Sequence, residues 1–473
     1  MKKMRITLQG KQLEVMALPP TGHTVVLGTA GSGKTTVALQ RARYLANLPN
    51  KPKVLLVTFN NALVQYINSL GDTDYSNLVV ESYHKFARGY LNSRGKMPRN
   101  GGILSSDQKH RYIEAALEAC LEANPNESTL KRPTEFFYDE ICFIQQFGFI
   151  NFEEYERAER VGRSSAFLAR GNRKWIQLVY TKYIELRDNN GFMYDWDDIA
   201  AYTYSELLND SSERLYTHII VDEGQDFSPM MIKSLVNAAR SYGSFTFFGD
   251  VAQQIYGHRL SWRDSGIQTN KIWRFEYNYR NPKKIVDFAQ DITRFSCWEP
   301  DDDMVSTIPT VAEGPKPALL DFSDDLTQLS WLVSRALKDC TNASVVVICR
   351  SYEEREIVTS WFTQNHVRFL LIDKDTPGFC DPKTIYISTF HSVKGLEFDY
   401  VFIPFLDKDR FPNPKAVAAA VTQEDAYIDE IKLLYVAATR SKYGLYMSFS
   451  GEVSPLFPTA SSNYDYITGD DLV

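Results

Sequence analysis

The chain has 473 residues, enough for two to four domains with sizeable cores. Its 44% hydrophobic and 23% charged residues fit an ordinary soluble globular protein, and a net charge of −7 gives no sign of a polybasic, histone-like surface. The six scattered cysteines make no C-x-x-C and meet no histidine cluster, which argues against a disulfide framework or a zinc site. The start MKKMRITLQGKQLEV lacks the apolar stretch of a signal peptide, and no apolar run approaches membrane-spanning length. These features predict a cytoplasmic protein with no membrane partner.

In chain order, HTVVLGTAGSGKTTVALQRARYL reads as strand, Gly-rich turn and helix. KVLLVTF (residues 53–59), THIIVDEGQDF and SFTFFGD (residues 244–250) read as further buried strands. Between about Phe86 and Leu215 the short strand-like runs vanish. Amphipathic patterns such as QKHRYIEAALEACLEA and RKWIQLVYTKYIELRD replace them, which predicts a helical insertion. A second α/β pattern begins near Asn281, with ASVVVICR, TIYISTF and DYVFIPF as its strands. Strands separated by helical patterns of this length predict parallel sheets built from βαβ units.

GTAGSGKTT fits the phosphate-loop pattern G-x-x-x-x-G-K-[ST] through Gly28, Gly33, Lys34 and Thr35, with Gly31 and Thr36 in the same loop. Its glycines let backbone N–H groups converge on phosphate oxygens, and the following helix adds its positive end. Lys34 is expected to reach the β- and γ-phosphates of a nucleotide, and the Thr35 hydroxyl to ligate Mg²⁺. IIVDEGQD sets Asp222 and Glu223 at the end of an apolar strand, where α/β sheets place ligands. Asp222 is then the second Mg²⁺ ligand and Glu223 the group that orients or deprotonates water; taken alone, the pair also fits a solvated strand end. In FFGDVAQQIYGHR, Gln253 and Gln254 carry amides able to sense a γ-phosphate. In FEYNYRNP, Tyr279 and Arg280 suit either a base and a phosphate or a helix cap.

Taken in order, GTAGSGKTT, VTFNNA, ESYHKFA, YDWDDIA, VDEGQD, GDVAQQIY, NYRNP, STFHSVKGLEFD and LLYVAATRSK resemble the motif set of UvrD/Rep-type superfamily 1A DNA helicases. The resemblance runs from about Leu8 to Met447 and implies two tandem RecA-like P-loop domains with a helical insertion in the first. It predicts a first domain of residues 1–86 and 216–280, an insertion of 87–215, a second domain of 281–455 and a tail of 456–473. ATP sits between the two domains in that family, and single-stranded DNA crosses their top.

Carried over by position, the resemblance makes Gln12 the adenine-reading glutamine, Tyr279 the ring stacked on adenine and Gln253 the γ-phosphate sensor. It makes Arg280 and Arg440 arginines that reach the γ-phosphate across the cleft, completing the site only when the domains close. It also sets Glu397 of KGLEF near the nucleotide. For nucleic acid it points to Phe59, Asn60, His84, Tyr256, His258 and His391, with Tyr83 beside them. Arg157, Arg160, Arg163, Arg170, Arg173 and Lys174 on the insertion suit phosphate tracking or a solvated helix face equally.

Departures from the family pattern are His258 where tryptophan is common, Thr36 where many relatives carry arginine, and Lys432 where arginine is frequent. Only about forty residues separate VVVICR from STFHSVKG, too few for the large helical subdomain that relatives insert there. The implied activity is an ATP-dependent 3′→5′ translocase and helicase acting on single-stranded or tailed duplex DNA. The alternative is a DNA-stimulated NTPase subunit that regulates a partner nuclease in a repair or phage-defence complex.

Overall fold

The computed structural model describes residues 8–59, 63–64, 75–98, 102–149, 151–158, 168–250, 262, 265–294, 305, 307–372, 383–420 and 422–472. Asn60, Arg160, Arg163, Gln253, Gln254, Tyr256 and His258 lie outside these residues.

Two parallel sheets dominate. The first joins β1 (Gly22–Gly28), β2 (Val54–Thr58), β3 (Leu78–Ser82), β6 (Tyr216–Val221), β7 (Ala239–Gly249) and β8 (Ile272–Phe275) in the order β3-β2-β6-β7-β1-β8. A small pair, β4 (Ile103–Leu104) with β5 (Tyr194–Asp195), lies within the helical segment between β3 and β6. β2 and β6 are buried along their whole length, as strands covered on both faces must be. One face packs Leu55, Val57, Ile219 and Phe245, and the other packs Val26, Val37, Leu56 and Ile220.

The second sheet joins β9 (Ala318–Phe322), β10 (Val345–Cys349), β11 (Leu370–Leu371), β12 (Ile385–Thr389), β13 (Phe398–Ile403), β14 (Ser441–Ser450) and β15 (Asp465–Thr468). Its order is β11-β12-β10-β13-β14-β9-β15. The last strand corrects an expectation: residues 456–473, read as a tail, include β15, which pairs in parallel with β9. DYIT alternates weakly and three of its four residues are exposed, so no buried pattern announced an edge strand.

Helices build the segment between β3 and β6. Ser105 and Gln108 form a reciprocal capping box that starts the helix Ser106–Ala123, and Gly148 in the left-handed region ends the helix Thr134–Phe147. Ile113, Phe137, Ile141, Ile176 and Tyr183 form its own core. The stretch between β10 and β12 holds the helix Tyr352–Gln364 and β11 among its described residues.

Candidate functional site

Every phosphate-loop residue lies at the end of β1. Gly33, with φ of 81°, caps the helix Lys34–Ala46, whose first residue is Lys34 itself. Gly31 has φ of 71°, and a Cβ there would lie 2.5 Å from Asn278 Oδ1 and 2.8 Å from Arg280 Cβ. Only glycine fits that contact. The buried Lys34 ammonium donates to the carbonyls of Gly28 and Thr29, both at 2.8 Å, and pairs with Asp250 at 3.2 Å.

Asp222 directly follows β6 and is fully buried, and neither carboxylate oxygen has a hydrogen-bond partner. Burial, then the neighbouring Glu223, push its carboxyl up to about 7, while the nearby Thr35 hydroxyl and Lys34 offset part of that cost. A buried acid with two orphaned oxygens beside a threonine hydroxyl fits a divalent cation.

Glu223 follows with φ of 53°, a left-handed conformation unusual for a side-chain-bearing residue. Burial opposes its charge, but Lys34, Lys394 and Arg440 outweigh it and hold the carboxyl below the usual range. Gln225, which sequence reasoning passed over, donates to Glu223 Oε2 at 2.6 Å and accepts from the Asp250 backbone N–H at 2.9 Å. It links the candidate water-activating carboxylate to the end of β7. Gly224 is also fixed by contact, because a Cβ would lie 2.2 Å from the Phe247 ring.

Gln12 packs on this loop: its Nε2 donates to the Ser32 carbonyl at 2.9 Å and its Oε1 accepts from Gln9 N–H at 3.1 Å. Tyr279 donates its backbone N–H to Gly31 O at 2.9 Å and leaves its ring half exposed beside the loop. Thr35 and Thr36, both partly exposed, begin the same helix.

The second sheet supplies the opposing wall. Arg440, at the end of the helix Gln423–Ala438, is 1% exposed and donates from Nε to Val436 O at 2.9 Å. Burial and the Arg280 cation lower it to about 10, and Glu223 and Glu397 pull the other way, so it stays charged at neutral pH. Glu397 pairs with Arg280 and, at 3.2 Å, with Lys442. The Arg280 Nε is buried without a partner.

The placement of Arg280 revises the expectation for the two arginines. It follows Tyr279, which is bonded to the phosphate loop, and precedes Asn281, whose amide donates to Thr439 O at 3.0 Å. Arg280 therefore sits where the chain passes from one sheet to the other, and Arg440 alone belongs wholly to the second. Lys394, another residue not singled out from sequence, forms a buried ion pair with Asp226 across the same boundary. Both signals stood inside quoted motifs, HSVKGLE and VDEGQD.

A separate aromatic group lies at the ends of β2 and β3. The His84 ring is 5.9 Å from Phe59 and 5.0 Å from Trp196, the latter nearly perpendicular. Tyr83 is instead a core residue, fully buried with its hydroxyl 2.7 Å from Ser234 Oγ. His391 is exposed just beyond β12, on the other sheet. The acids of YDWDD are taken up structurally: Lys109 pairs with Asp197 at 2.6 Å and Asp195 at 3.3 Å, and Arg187 pairs with Asp198. Arg173 corrects the phosphate-tracking expectation, since it is buried and donates to the carbonyls of Glu156 at 2.9 Å and Ala158 at 3.0 Å. Arg157, Arg170 and Lys174 are exposed.

A family model described as the UvrD/REP helicase N-terminal domain matches residues 8–270, and one described as the UvrD-like helicase C-terminal domain matches residues 375–452. The chain belongs to the UvrD/Rep-type superfamily 1 helicases. This UvrD-type chain is 23% identical over 461 residues to a probable DNA helicase of Mycoplasma pneumoniae, covering 90% of this chain and 80% of that protein. It is 27% identical over 312 residues to DNA helicase II of Escherichia coli, a match covering 60% of this chain and 40% of the relative. DNA helicase II of Haemophilus influenzae matches at 26% over 314 residues with the same two coverages. The matched region thus spans less than half the length of either DNA helicase II.

Proposed function

We propose that the chain is a cytoplasmic ATP-dependent motor that moves 3′→5′ along single-stranded DNA and opens tailed duplexes with modest efficiency. The observation that carries this reading is that the buried Lys34, Asp222 and Glu223 of the first sheet's half meet the second half across the buried Lys394–Asp226 ion pair, with Arg440 buried on that second half.

In this reading Lys34 exchanges Asp250 for the β- and γ-phosphates of ATP. Thr35 and Asp222 would hold Mg²⁺, which neutralises phosphate charge when bound. Glu223, kept ionised by Lys34, Lys394 and Arg440 and aimed by Gln225, accepts a proton from water as the water oxygen attacks the γ-phosphorus and ADP leaves. Arg440, Arg280 and Lys34 stabilise the charge that builds on the transferred phosphoryl oxygens. Because Arg440 comes from the other sheet, nucleotide occupancy and the spacing of the two sheets are coupled, which suits stepping. Phe59, His84 and His391 are the stacking contacts for single-stranded DNA, with Trp196 behind His84.

One observation favours a second reading, in which the chain is a DNA-stimulated NTPase that regulates a partner nuclease. The stretch between β10 and β12 holds one helix and a two-residue strand among its described residues, where relatives carry the subdomain that contacts duplex. ATPase and unwinding assays on 3′-tailed, 5′-tailed and blunt duplexes test both, with the neighbouring gene's product added or withheld. ATP-dependent opening of the 3′-tailed duplex supports the motor. Stimulated ATPase with no unwinding in either condition sinks the helicase reading and leaves the regulatory one.

A further inference from the structure

Tyr277 and Tyr279 are both large aromatics left in solvent, 53% and 51% exposed, at the mouth of the phosphate-loop site. Their ring centroids are 6.3 Å apart with the planes 34° from parallel. A planar base held between two rings needs about 7 Å, twice the roughly 3.5 Å contact distance between carbon atoms. The ring centroids stand slightly closer than that, so the rings must part to admit a base between them.

The backbone that carries the rings is pinned around them. Tyr279 N–H donates to Gly31 O at 2.9 Å, and Asn278 N–H donates to Ile308 O at 2.9 Å. Ile308 N–H donates back to Glu276 O at 2.8 Å. Lys11, beside Gln12, pairs with Glu276 at 2.9 Å and donates to Arg274 O at 3.3 Å. Segment, phosphate loop and the helix Lys11–Met16 are therefore one assembly, and two tyrosines with few rotatable bonds project from it.

We propose that Tyr277 acts with Tyr279 as a two-ring clamp on the nucleobase, making Tyr277 a specificity residue that favours purine nucleoside triphosphates. This rests on the nucleotide-binding reading of the site. The chemistry is stacking on both faces, which scales with the area of the base and so ranks purines above pyrimidines. The phosphates are held independently, by Lys34 and the loop.

Binding of ATP, CTP and inorganic tripolyphosphate to wild type, Tyr277→Ala and Tyr277→Phe separates the contributions. Tyr277→Ala is expected to weaken ATP about tenfold, CTP several-fold less and tripolyphosphate not at all. Tyr277→Phe is expected to restore ATP binding. An ATP affinity in Tyr277→Ala equal to wild type overturns the clamp and leaves the nucleotide site intact. Equal losses for ATP and tripolyphosphate also overturn it, because the defect then lies in the phosphate loop. Failure of the wild-type chain to bind ATP overturns the nucleotide reading itself, and the clamp with it.

Discussion

Lys394 and Asp226 form an ion pair with both side chains buried, 6% and 4% exposed, and the two residues belong to different sheets. Gly395, the next residue, packs its backbone against Leu63 of the first sheet's half, where a Cβ would lie 3.1 Å from Leu63 Cδ2. Asp226 also donates its backbone N–H to Glu223 O at 3.1 Å. Lys394 therefore helps keep the Glu223 carboxyl ionised and joins the two halves of the candidate site.

Removing one member of such a pair leaves a desolvated charge, typically at a cost of about 3–5 kcal/mol, whereas replacing both by apolar groups is far milder. Lys394→Met is expected to lower thermal stability more than the double variant Lys394→Met/Asp226→Leu. Denaturant unfolding of the two single variants and the double gives the coupling energy directly, and additive effects would exclude a buried pair.

Lys34→Ala, Glu223→Gln and Arg440→Ala are each expected to abolish DNA-stimulated ATPase while single-stranded DNA binding persists. For Arg440 the loss expected of an arginine supplied across an interface is about 10³-fold or more. Steady-state turnover and fluorescence anisotropy measure the two properties separately. Normal turnover in Arg440→Ala contradicts its assignment to the cleft.

Asp222 gives a pH dependence with a definite sign. Its carboxyl is pushed up to about 7 by burial and Glu223, so below that pH a proton competes with a cation for the same oxygens. Apparent Mg²⁺ affinity is expected to fall by up to tenfold per pH unit below about 7 and to level off above it. The same raised value makes Asp222's contribution to folding stability greatest in acid and lost as pH rises through about 7. Calorimetric Mg²⁺ titrations with nucleotide at pH 6 and pH 8 check this, and identical affinities at both would refute it.

Gly31→Ala should uncouple the phosphate loop from NYRNP. A methyl group would overlap Asn278 Oδ1 at 2.5 Å in a backbone conformation with φ of 71°. Asn278 Oδ1 also accepts from the N–H groups of Arg280 and Asn281, both at 2.8 Å, so the clash displaces the arginine turn as well. Loss of nucleotide binding with a near-native circular dichroism spectrum is the expected result.

Arg173→Ala distinguishes helix support from phosphate contact. Because the side chain closes the end of the helix Phe152–Arg157, the variant should lose about 1–3 kcal/mol of stability and keep the wild-type salt dependence of DNA binding. A flatter salt slope would restore Arg173 to the DNA surface.

What could be read from residues alone was whatever depends on short spacing. The phosphate loop and the acids ending β6 are local patterns, and Lys34, Thr35, Asp222 and Glu223 follow from them. Gln225, Lys394 and Asp250 were hidden because their roles lie in partners distant in the chain: Lys34 meets Asp250, and Lys394 meets Asp226. Arg173 misled for the opposite reason. Arg170 and Lys174 near it are basic and exposed, yet its helical phase turns it inward onto carbonyls. Arg280 shows a third limit, since a linear motif order assigns it to one half of the molecule while its flanking residues bond to both.

The last strand of the second sheet has a practical meaning for handling the protein. β15 lies outermost, covering the backbone groups of β9, whose own side chains are mostly buried. Its outward residues include Asp465, Tyr466 and Thr468, polar or amphipathic groups that discourage docking of another strand. A chain cut before Asp465 would bare β9, a mostly apolar strand of five residues, with an open hydrogen-bonding edge. Such a product would self-associate on concentration, and a proteolytic nick near the C-terminus would be noticed first as turbidity.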